Sequence, residues 1–205
     1  MAHDAQSLIA ELKEKGVLRS PSVMRALQKI DRVHFVPQEL KHIAYKDAPL
    51  PIGSGQTISQ PYTVIFMLER LDVQPGATVL EIGYGSGWQT ALLAQMVGRK
   101  GKVYAMEVIT RLCALGEKNL RHYPSLLPRT HLRCQNASAG WHEGAPFERI
   151  IAAAEVKEVP AAWREQLRAG GKMIYPQSGS LVLEAKHAGG FDLQKFPGFA
   201  FVPFT

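Results

Sequence analysis

The chain has 205 residues, of which 46% are hydrophobic, so it can bury one sizeable core and is not a disordered polymer. No apolar run is long enough to cross a bilayer, and the N-terminal residues contain acidic side chains, which is not typical of a secretory signal peptide. We therefore predict a cytoplasmic protein without a membrane partner. The formal net charge of +6 favours an anionic partner. The basic residues form no dense block, however, so we predict no nucleic acid partner.

The cysteine and histidine patterns argue against a metal site. Cys113 and Cys134 form neither a C-x-x-C pair nor another ligand spacing, and the histidines are scattered. We therefore predict no metal. In a cytoplasmic protein we also expect the two cysteines to be reduced, buried thiols without a disulfide.

The N-terminal part predicts two amphipathic helices. The first covers residues 4–15 with Asp4 as its cap, and the second begins at Ser20-Pro21. Both precede the first predicted strand, so we expect them to form an N-terminal layer on the sheet. Residues 34–45 are predicted to be an irregular or weakly helical link.

Residues 47–60 predict a loop, because they contain two prolines, two glycines and several hydroxyl side chains. Loops of this length inside compact domains tend to be functional. The loop leads into an apolar helix predicted over residues 61–71, and Ser59 stands where it could cap that helix. The residues alone leave the cap and a catalytic role open for Ser59.

An apolar run at residues 79–82 leads into three alternating glycines, Gly83, Gly85 and Gly87, and then into a helical pattern. Strand, tight loop and helix form the first unit of a doubly wound α/β sheet. A dinucleotide fingerprint needs a glycine at the sixth loop position, where this chain has tryptophan. Together with Glu81, two residues before the first glycine, the spacing E-x-G-x-G-x-G is instead typical of S-adenosylmethionine-dependent methyltransferases.

The remainder of the chain alternates strands and helices, which predicts an α/β fold with a doubly wound, mostly parallel sheet. Glu107 ends the second strand, where an acid in such folds accepts hydrogen bonds from ribose hydroxyls. We expect the phenylalanine-rich tail, residues 191–205, to lie across the domain. Further strands are predicted at residues 102–108, 130–134, 147–154, 173–176 and 181–186, and further helices at 88–97, 111–122 and 160–168.

Five stretches resemble the protein-L-isoaspartate O-methyltransferase family, and the most specific is Gly55–Ser59 followed by Pro61. The resemblance implies a Rossmann-like fold and methyl transfer from S-adenosylmethionine to the free carboxylate of isoaspartyl residues in damaged peptides and proteins. It also implies that the methyl ester then closes to a succinimide, which starts repair. We expect the enzyme to be a monomer. The stretches are residues 49–53, 55–59, 80–90, 166–174 and 201–203.

The resemblance also implies roles for individual residues. Ser59 is expected to be the catalytic serine. The cofactor is expected at Glu81, Gly83, Gly85, Gly87, Glu107 and Asn136, and the peptide substrate at Gln56, Thr57, Ile58 and Val202. The domain, residues 1–205, would then consist of N-terminal helices with an active-site loop (1–60), a cofactor-binding core (77–176) and a substrate-side tail (191–205).

Two alternative functions stay open at this point. Gln135-Asn136-Ala137 stands where the family usually has Gly-Asp-Gly, and Ala137 would be strained in a backbone conformation that suits only glycine, which allows a non-catalytic relative that binds S-adenosylmethionine. The other alternative is a carboxylate methyltransferase for one dedicated peptide. A nucleic-acid amine methyltransferase is disfavoured, because residues 152–155 lack the Asn/Asp-Pro-Pro-aromatic pattern common in those enzymes.

Overall fold

The computed structural model describes residues 4–204, so the parts of the predictions that fall on residues 1–3 and 205 lie outside the described residues. Apolar stripes and caps explain the first two helices: the Asp4 side chain accepts the Ser7 amide hydrogen, and the Ser20 hydroxyl accepts that of Val23. The N-terminal region contains helix α1 (Ala5–Glu14), helix α2 (Pro21–Lys29), 3-10 helices at Arg32–Phe35 and Gln38–Ile43, strands β1 (Leu50–Gly53) and β2 (Gln56–Ile58), and helix α3 (Pro61–Leu71).

The central part alternates strands and helices, as predicted. Its elements are strand β3 (Thr78–Ile82), helix α4 (Trp88–Val97), strand β4 (Lys102–Glu107), helix α5 (Thr110–Leu120), strand β5 (Thr130–Cys134), strand β6 (Phe147–Ala152), helix α6 (Ala161–Gln166), and strands β7 (Leu167–Gln177), β8 (Ser180–His187) and β9 (Gly190–Pro197). Two further 3-10 helices lie at Pro124–Arg129 and His142–Gly144.

Seven strands form one sheet in the order β5-β4-β3-β6-β7-β8-β9. Strands β3 to β7 pair in parallel, and β8 and β9 add antiparallel pairs at one side. The chain leaves β3 in one direction to reach β4 and β5, and then returns to the other side of β3 at β6. The prediction of a doubly wound, mostly parallel sheet is therefore confirmed, with its topological switch point between β3 and β6.

The N-terminal helices pack mainly against the helices that cover the sheet. Helix α2 contacts α3 and α4, and α1 contacts α2. Helix α4 is buried nearly throughout, because it lies between the parallel strands and this outer layer. The predicted N-terminal layer is therefore present, with α3 and α4 between much of it and the sheet.

Three predictions about local structure differ from the observed fold. Residues 47–60 were expected to be a loop but include an antiparallel hairpin, β1 and β2, in which Leu50 pairs with Ile58. The helix expected over residues 160–168 ends at Gln166, and the glycine pair at 170–171 lies inside β7. The tail begins as strand β9, which pairs with β8, and only from residue 198 onward does it return across the molecule.

The prediction of two reduced cysteines is also wrong. Cys113 in α5 and Cys134 at the end of β5 form a disulfide. Cys134 pairs with Glu107 across β4 and β5, and the Cys113 sulfur lies 3.5 Å from the Glu107 carbonyl oxygen. The topology brings the two cysteines together, and no local sequence pattern marks that pairing.

Candidate active site

A cleft with an empty volume of about 840 Å³ opens where β3 and β4 end. It lies beside the switch point, because the Ala153 amide donates to the Ile82 carbonyl just beyond the paired parts of β3 and β6. Ligands of open α/β sheets bind at this place. Eight of the predicted site residues line the cleft: Gln56, Thr57, Ile58, Ser59, Gly83, Gly85, Glu107 and Val202.

The glycine loop has the backbone that its sequence requires. Gly83, Gly85 and Gly87 have φ angles of 79°, 49° and 86°, which strain any residue with a Cβ atom. The Gly83 amide donates to the Met106 carbonyl at 2.8 Å, which fixes the loop to the end of β4. Gly87 does not line the cleft; a Cβ atom there would lie 3.1 Å from the Gly116 carbonyl oxygen in α5. It therefore serves the close packing of loop and helix, and its predicted cofactor contact stays a prediction.

Glu107 is the last residue of β4, and its carboxylate is held by backbone amides. Oε2 accepts from Gly85 at 3.0 Å, and Oε1 accepts from Val108 at 2.9 Å and from Ile109 at 3.0 Å. A carboxylate has about four acceptor positions, so these bonds orient it and leave capacity for a ligand hydroxyl. Its placement in the cleft fits the predicted ribose contact.

Glu81 lies beneath the loop and is fully buried. Oε1 accepts from the Gln89 side chain at 3.1 Å, whereas Oε2 has no hydrogen-bond partner among the described residues. Burial raises the pKa of Glu81 to about 7. Gln89 lines the cleft and Glu81 does not, so Glu81 can act on a ligand through Gln89, and a direct cofactor contact stays a prediction.

Asn136 is exposed and is not among the residues that line the cleft. Its Oδ1 accepts from the Ser138 amide at 2.8 Å and from the Ser138 hydroxyl, which closes a local turn. Gln135 and Ala137 line the cleft instead. Ala137 is not among the described residues with a positive φ. The strain that the Gly-Asp-Gly comparison predicts for this alanine is therefore absent.

Ser59 does not cap helix α3. The N-cap is Gln60, and it makes no side-chain capping bond. Within residues 4–204 the Ser59 hydroxyl forms no hydrogen bond, although the Ser59 carbonyl accepts one from Arg32 at 3.0 Å. The hydroxyl is half-buried at the cleft and available to a ligand, and the catalytic role of Ser59 stays a prediction.

A second groove meets the cleft at Ser59. Its empty volume is about 1720 Å³, and its other walls are aromatic and small side chains of α3 and of the tail. Backbone bonds hold the tail in place: the Glu155 amide donates to the Val202 carbonyl, and the Phe204 amide donates to the Glu155 carbonyl, both at 2.8 Å. The two spaces share Thr57, Ser59, Ala153 and Val202.

Several lining residues are not among the predicted site residues. Val108, Ile109, Gln135 and Ala137 are neighbours of predicted residues, and their position after a strand was the available signal. In the part of the chain from residue 4 to 204, no group of three or more His, Cys, Asp or Glu side chains is arranged to hold a metal ion. None of the helices described there combines the length and apolar character that crossing a membrane requires.

A doubly wound sheet, three glycines with left-handed backbone and an anchored acid at the end of the next strand form a nucleoside-binding site, and the E-x-G-x-G-x-G spacing of the loop places it in the class of S-adenosylmethionine-dependent methyltransferases. The residues fit that cofactor, since Glu107 keeps acceptor capacity in the cleft and Gly83 and Gly85 line it without side chains. The model of the family "Protein-L-isoaspartate(D-aspartate) O-methyltransferase (PCMT)" matches residues 3–205, and the chain belongs to this family. Its activity is methylation of isoaspartyl residues in proteins with S-adenosylmethionine as donor.

Individual relatives agree with the family. A protein-L-isoaspartate O-methyltransferase of Anaeromyxobacter dehalogenans is 46% identical over 169 residues, which cover 82% of this chain and 78% of the relative. One from Ignicoccus hospitalis is 38% identical, with 99% of this chain and 98% of the relative covered. A Plasmodium falciparum structure, assigned as such an enzyme and complexed with S-adenosyl-L-homocysteine, has a TM-score of 0.88 at 25% identity and covers 98% of both chains.

Proposed function

We propose that Ser59 is the catalytic residue that holds the acceptor carboxylate. The observation that carries this role is the position of its unbonded hydroxyl, where the cofactor cleft and the second groove meet. A carboxylate entering from the groove would reach the hydroxyl with its free oxygen directed into the cleft. The hydroxyl would donate one hydrogen bond and so fix the angle of attack.

The acceptor needs no general base, because a carboxylate with a reference pKa of about 4 is already ionised at neutral pH. When bound, S-adenosylmethionine supplies a methyl group on a sulfonium, and its transfer leaves S-adenosylhomocysteine. The acceptor oxygen forms the new bond to carbon while the sulfur–carbon bond breaks, so no proton moves. The protein's part is alignment and exclusion of water, and alignment alone can account for about 7–11 kcal/mol of a barrier.

The cofactor would be bound by backbone and acid groups. Glu107 would accept from the ribose hydroxyls, and the absence of side chains at Gly83 and Gly85 would let the loop backbone come close to the cofactor. Glu81 would orient Gln89 toward the cleft. Gly87 and Asn136 would act on the cofactor indirectly. Gly87 would do so through the shape of the glycine loop, and Asn136 through the turn that positions Gln135 and Ala137.

The peptide would lie in the second groove. Thr57 and Val202 line both spaces, so they would contact the isoaspartyl residue and its neighbours. Gln56 and Ile58 line the cleft side of the hairpin. These placements support the substrate roles inferred for the four residues.

A methyl-transfer assay tests the proposal. Labelled S-adenosylmethionine is supplied with an isoaspartyl peptide or with its normal aspartyl twin, and the wild type is compared with Ser59→Ala. We expect label on the isoaspartyl peptide alone and a loss of about 100-fold in kcat for Ser59→Ala, similar to the loss of one well-placed donor elsewhere. Ser125→Ala, at an exposed serine outside both spaces, is the matched control and should keep wild-type kcat.

Three results would contradict parts of the proposal. Equal labelling of both peptides would remove the preference for isoaspartate. Unchanged kcat in Ser59→Ala would remove the catalytic role of Ser59 while leaving the family activity intact. Activity on one peptide sequence only would indicate the dedicated carboxylate methyltransferase considered from the sequence.

We also propose a single-domain monomer that acts in the cytoplasm and binds no nucleic acid. Size-exclusion chromatography with light scattering tests the monomer. The Cys113–Cys134 disulfide is the observation that weighs against a reducing compartment. Thiol labelling of freshly lysed cells under acid quench would show whether the two cysteines are oxidised where the protein works.

A further inference from the structure

Arg32 is a buried arginine in the first 3-10 helix, with 2% of its surface exposed. Nη1 donates to the Ala44 carbonyl at 2.5 Å, and Nη2 donates to the carbonyls of Ala48 at 3.2 Å and Ser59 at 3.0 Å. All three acceptors are neutral backbone groups. Because Ala44 and Ala48 precede the β1–β2 hairpin and Ser59 follows it, the side chain connects the two ends of the segment that contains the hairpin.

The charge of Arg32 has no direct ionic partner in residues 4–204. Asp47 acts on it from a distance, but the Asp47 carboxylate pairs with Lys15 at 2.6 Å. Burial lowers the pKa of Arg32 to about 10, so it is still protonated at neutral pH. Burying an unpaired cation is costly, and an apolar side chain could fill the same space without that cost. In this protein the three hydrogen bonds to backbone carbonyls offset part of that cost, and an apolar side chain would remove them.

Arg32 also contacts the cofactor side of the cleft. Its guanidinium lies 5.1 Å from the ring centroid of Trp88, which is the first residue of α4 and lines the cleft. One rigid side chain thus connects the backbone of Ser59 to the helix that follows the glycine loop. Methyl transfer requires the acceptor oxygen and the donor to be aligned, and a misplacement of about 1 Å can cost about 100-fold in rate.

We propose that Arg32 is a positioning residue for the methyl transfer, acting through the Ser59 carbonyl to set the distance between the Ser59 hydroxyl and the cofactor loop. The inference rests on the proposed role of Ser59. Arg32 does not line the cleft, so its effect reaches the reaction only through its neighbours. Lysine can keep the charge but cannot donate to three carbonyls in the same planar arrangement.

A double-mutant cycle tests this inference, with Arg32→Lys, Ser59→Ala and the double variant compared with the wild type. Rates are expressed per S-adenosylhomocysteine-binding site measured by calorimetry, so that unfolded molecules do not count. We expect Arg32→Lys to lower kcat about tenfold, with peptide KM and the dissociation constant of S-adenosylhomocysteine changed less than about threefold. In the Ser59→Ala background the same substitution should lower kcat less than about twofold, because the two residues act as one unit.

Controls separate positioning from folding. Arg25→Lys, at an exposed arginine of α2, should behave as wild type in both backgrounds. Arg32→Gln, which removes the charge, should lower kcat at least as far as Arg32→Lys. An equal factor for Arg32→Lys in both backgrounds would overturn the inference, as would loss of S-adenosylhomocysteine binding in both Arg32 variants. Normal kcat in Ser59→Ala alone would instead remove the proposed role of Ser59.

Discussion

The two sides of the active-site cleft are built in different ways. On the cofactor side, the glycine loop and Glu107 stand at the ends of buried parallel strands, and backbone amides fix them. On the acceptor side, the hairpin β1–β2 and residues 198–204 lie outside the seven-stranded sheet. Side chains such as Arg32 and a few backbone bonds at Glu155 hold that side in place.

The difference separates two kinds of variant. A change on the cofactor side disturbs the rigid strand ends and should show first in the affinity for S-adenosylmethionine or S-adenosylhomocysteine. A change on the acceptor side should alter peptide turnover and leave cofactor affinity nearly constant. Four predictions follow: two test how cleanly the two sides divide in affinity and turnover, and two test what stabilises the cofactor side.

The largest effect is expected from the disulfide on the cofactor side. Replacing both Cys113 and Cys134 with serine removes a cross-link over a sequence separation of 21 residues. The free energy of unfolding should fall by about 3 kcal/mol, as expected for a loop of that size. Denaturant unfolding measures it, and a reductant should destabilise the wild type by a similar amount without affecting the double variant. A stability unchanged by both treatments would contradict a structural role for the bond.

The next effect concerns Glu107. The Glu107 carboxylate accepts hydrogen bonds from three backbone amides, and the single side-chain oxygen in Glu107→Gln cannot accept all three. The substitution also removes the charged acceptor for ribose hydroxyls. We expect the dissociation constant of S-adenosylhomocysteine to rise about 30-fold, equivalent to about 2 kcal/mol. Glu117→Gln, at an exposed acid of α5, is the control for calorimetry. Equal affinities would show that Glu107 only shapes the loop.

The third effect is a pH dependence caused by Glu81. Its pKa is raised from 4.5 to about 7 in the folded protein, so the folded state binds a proton that the unfolded state has released between these values. Stability should therefore fall as pH rises through that range, by about 1 kcal/mol per pH unit, and level off above it. Glu81→Gln should lack this slope. Parallel slopes for both proteins in denaturant unfolding would assign the pH dependence to other groups.

The smallest effect belongs to the acceptor side. Asp47 accepts the Tyr62 amide at 2.8 Å and pairs with Lys15, which fixes the base of the hairpin. In Asp47→Asn we expect the peptide KM to rise about fivefold, equivalent to about 1 kcal/mol, with the affinity for S-adenosylhomocysteine unchanged. Steady-state kinetics and calorimetry on the same preparation measure both. A matching loss of cofactor affinity would show that the two sides are coupled.

The cofactor side could be predicted from the sequence because its signals are local. The strand, the glycine spacing and Glu107 follow one another within 30 residues, and the sheet geometry then places them together. Glu81 was assigned to the cofactor, but the sequence could not show that it lies beneath the loop. That position depends on helix α4 covering the strand, a tertiary feature without a sequence signal.

On the acceptor side, composition alone marks residues 47–60 as a functional segment, whereas the roles of its individual residues depend on the family resemblance. Two prolines and two glycines at residues 47–60 indicated a loop, yet Pro51 fits a two-stranded hairpin, where it need not donate to a ladder. The disulfide was missed for a related reason, since the pairing of β4 with β5 decides the distance between Cys113 and Cys134. Arg32 showed no pattern at all, because its acceptors lie 12, 16 and 27 residues away.

Residues 198–204 complete the acceptor wall through backbone bonds to Gly179 and Glu155 and through ring contacts of Phe199 with Phe66 and of Phe204 with Trp163. A segment attached in this way can detach by local opening at a free energy below that of global unfolding. Heating should then switch off turnover reversibly while the sheet stays intact, so that the temperature of inactivation lies below the melting temperature.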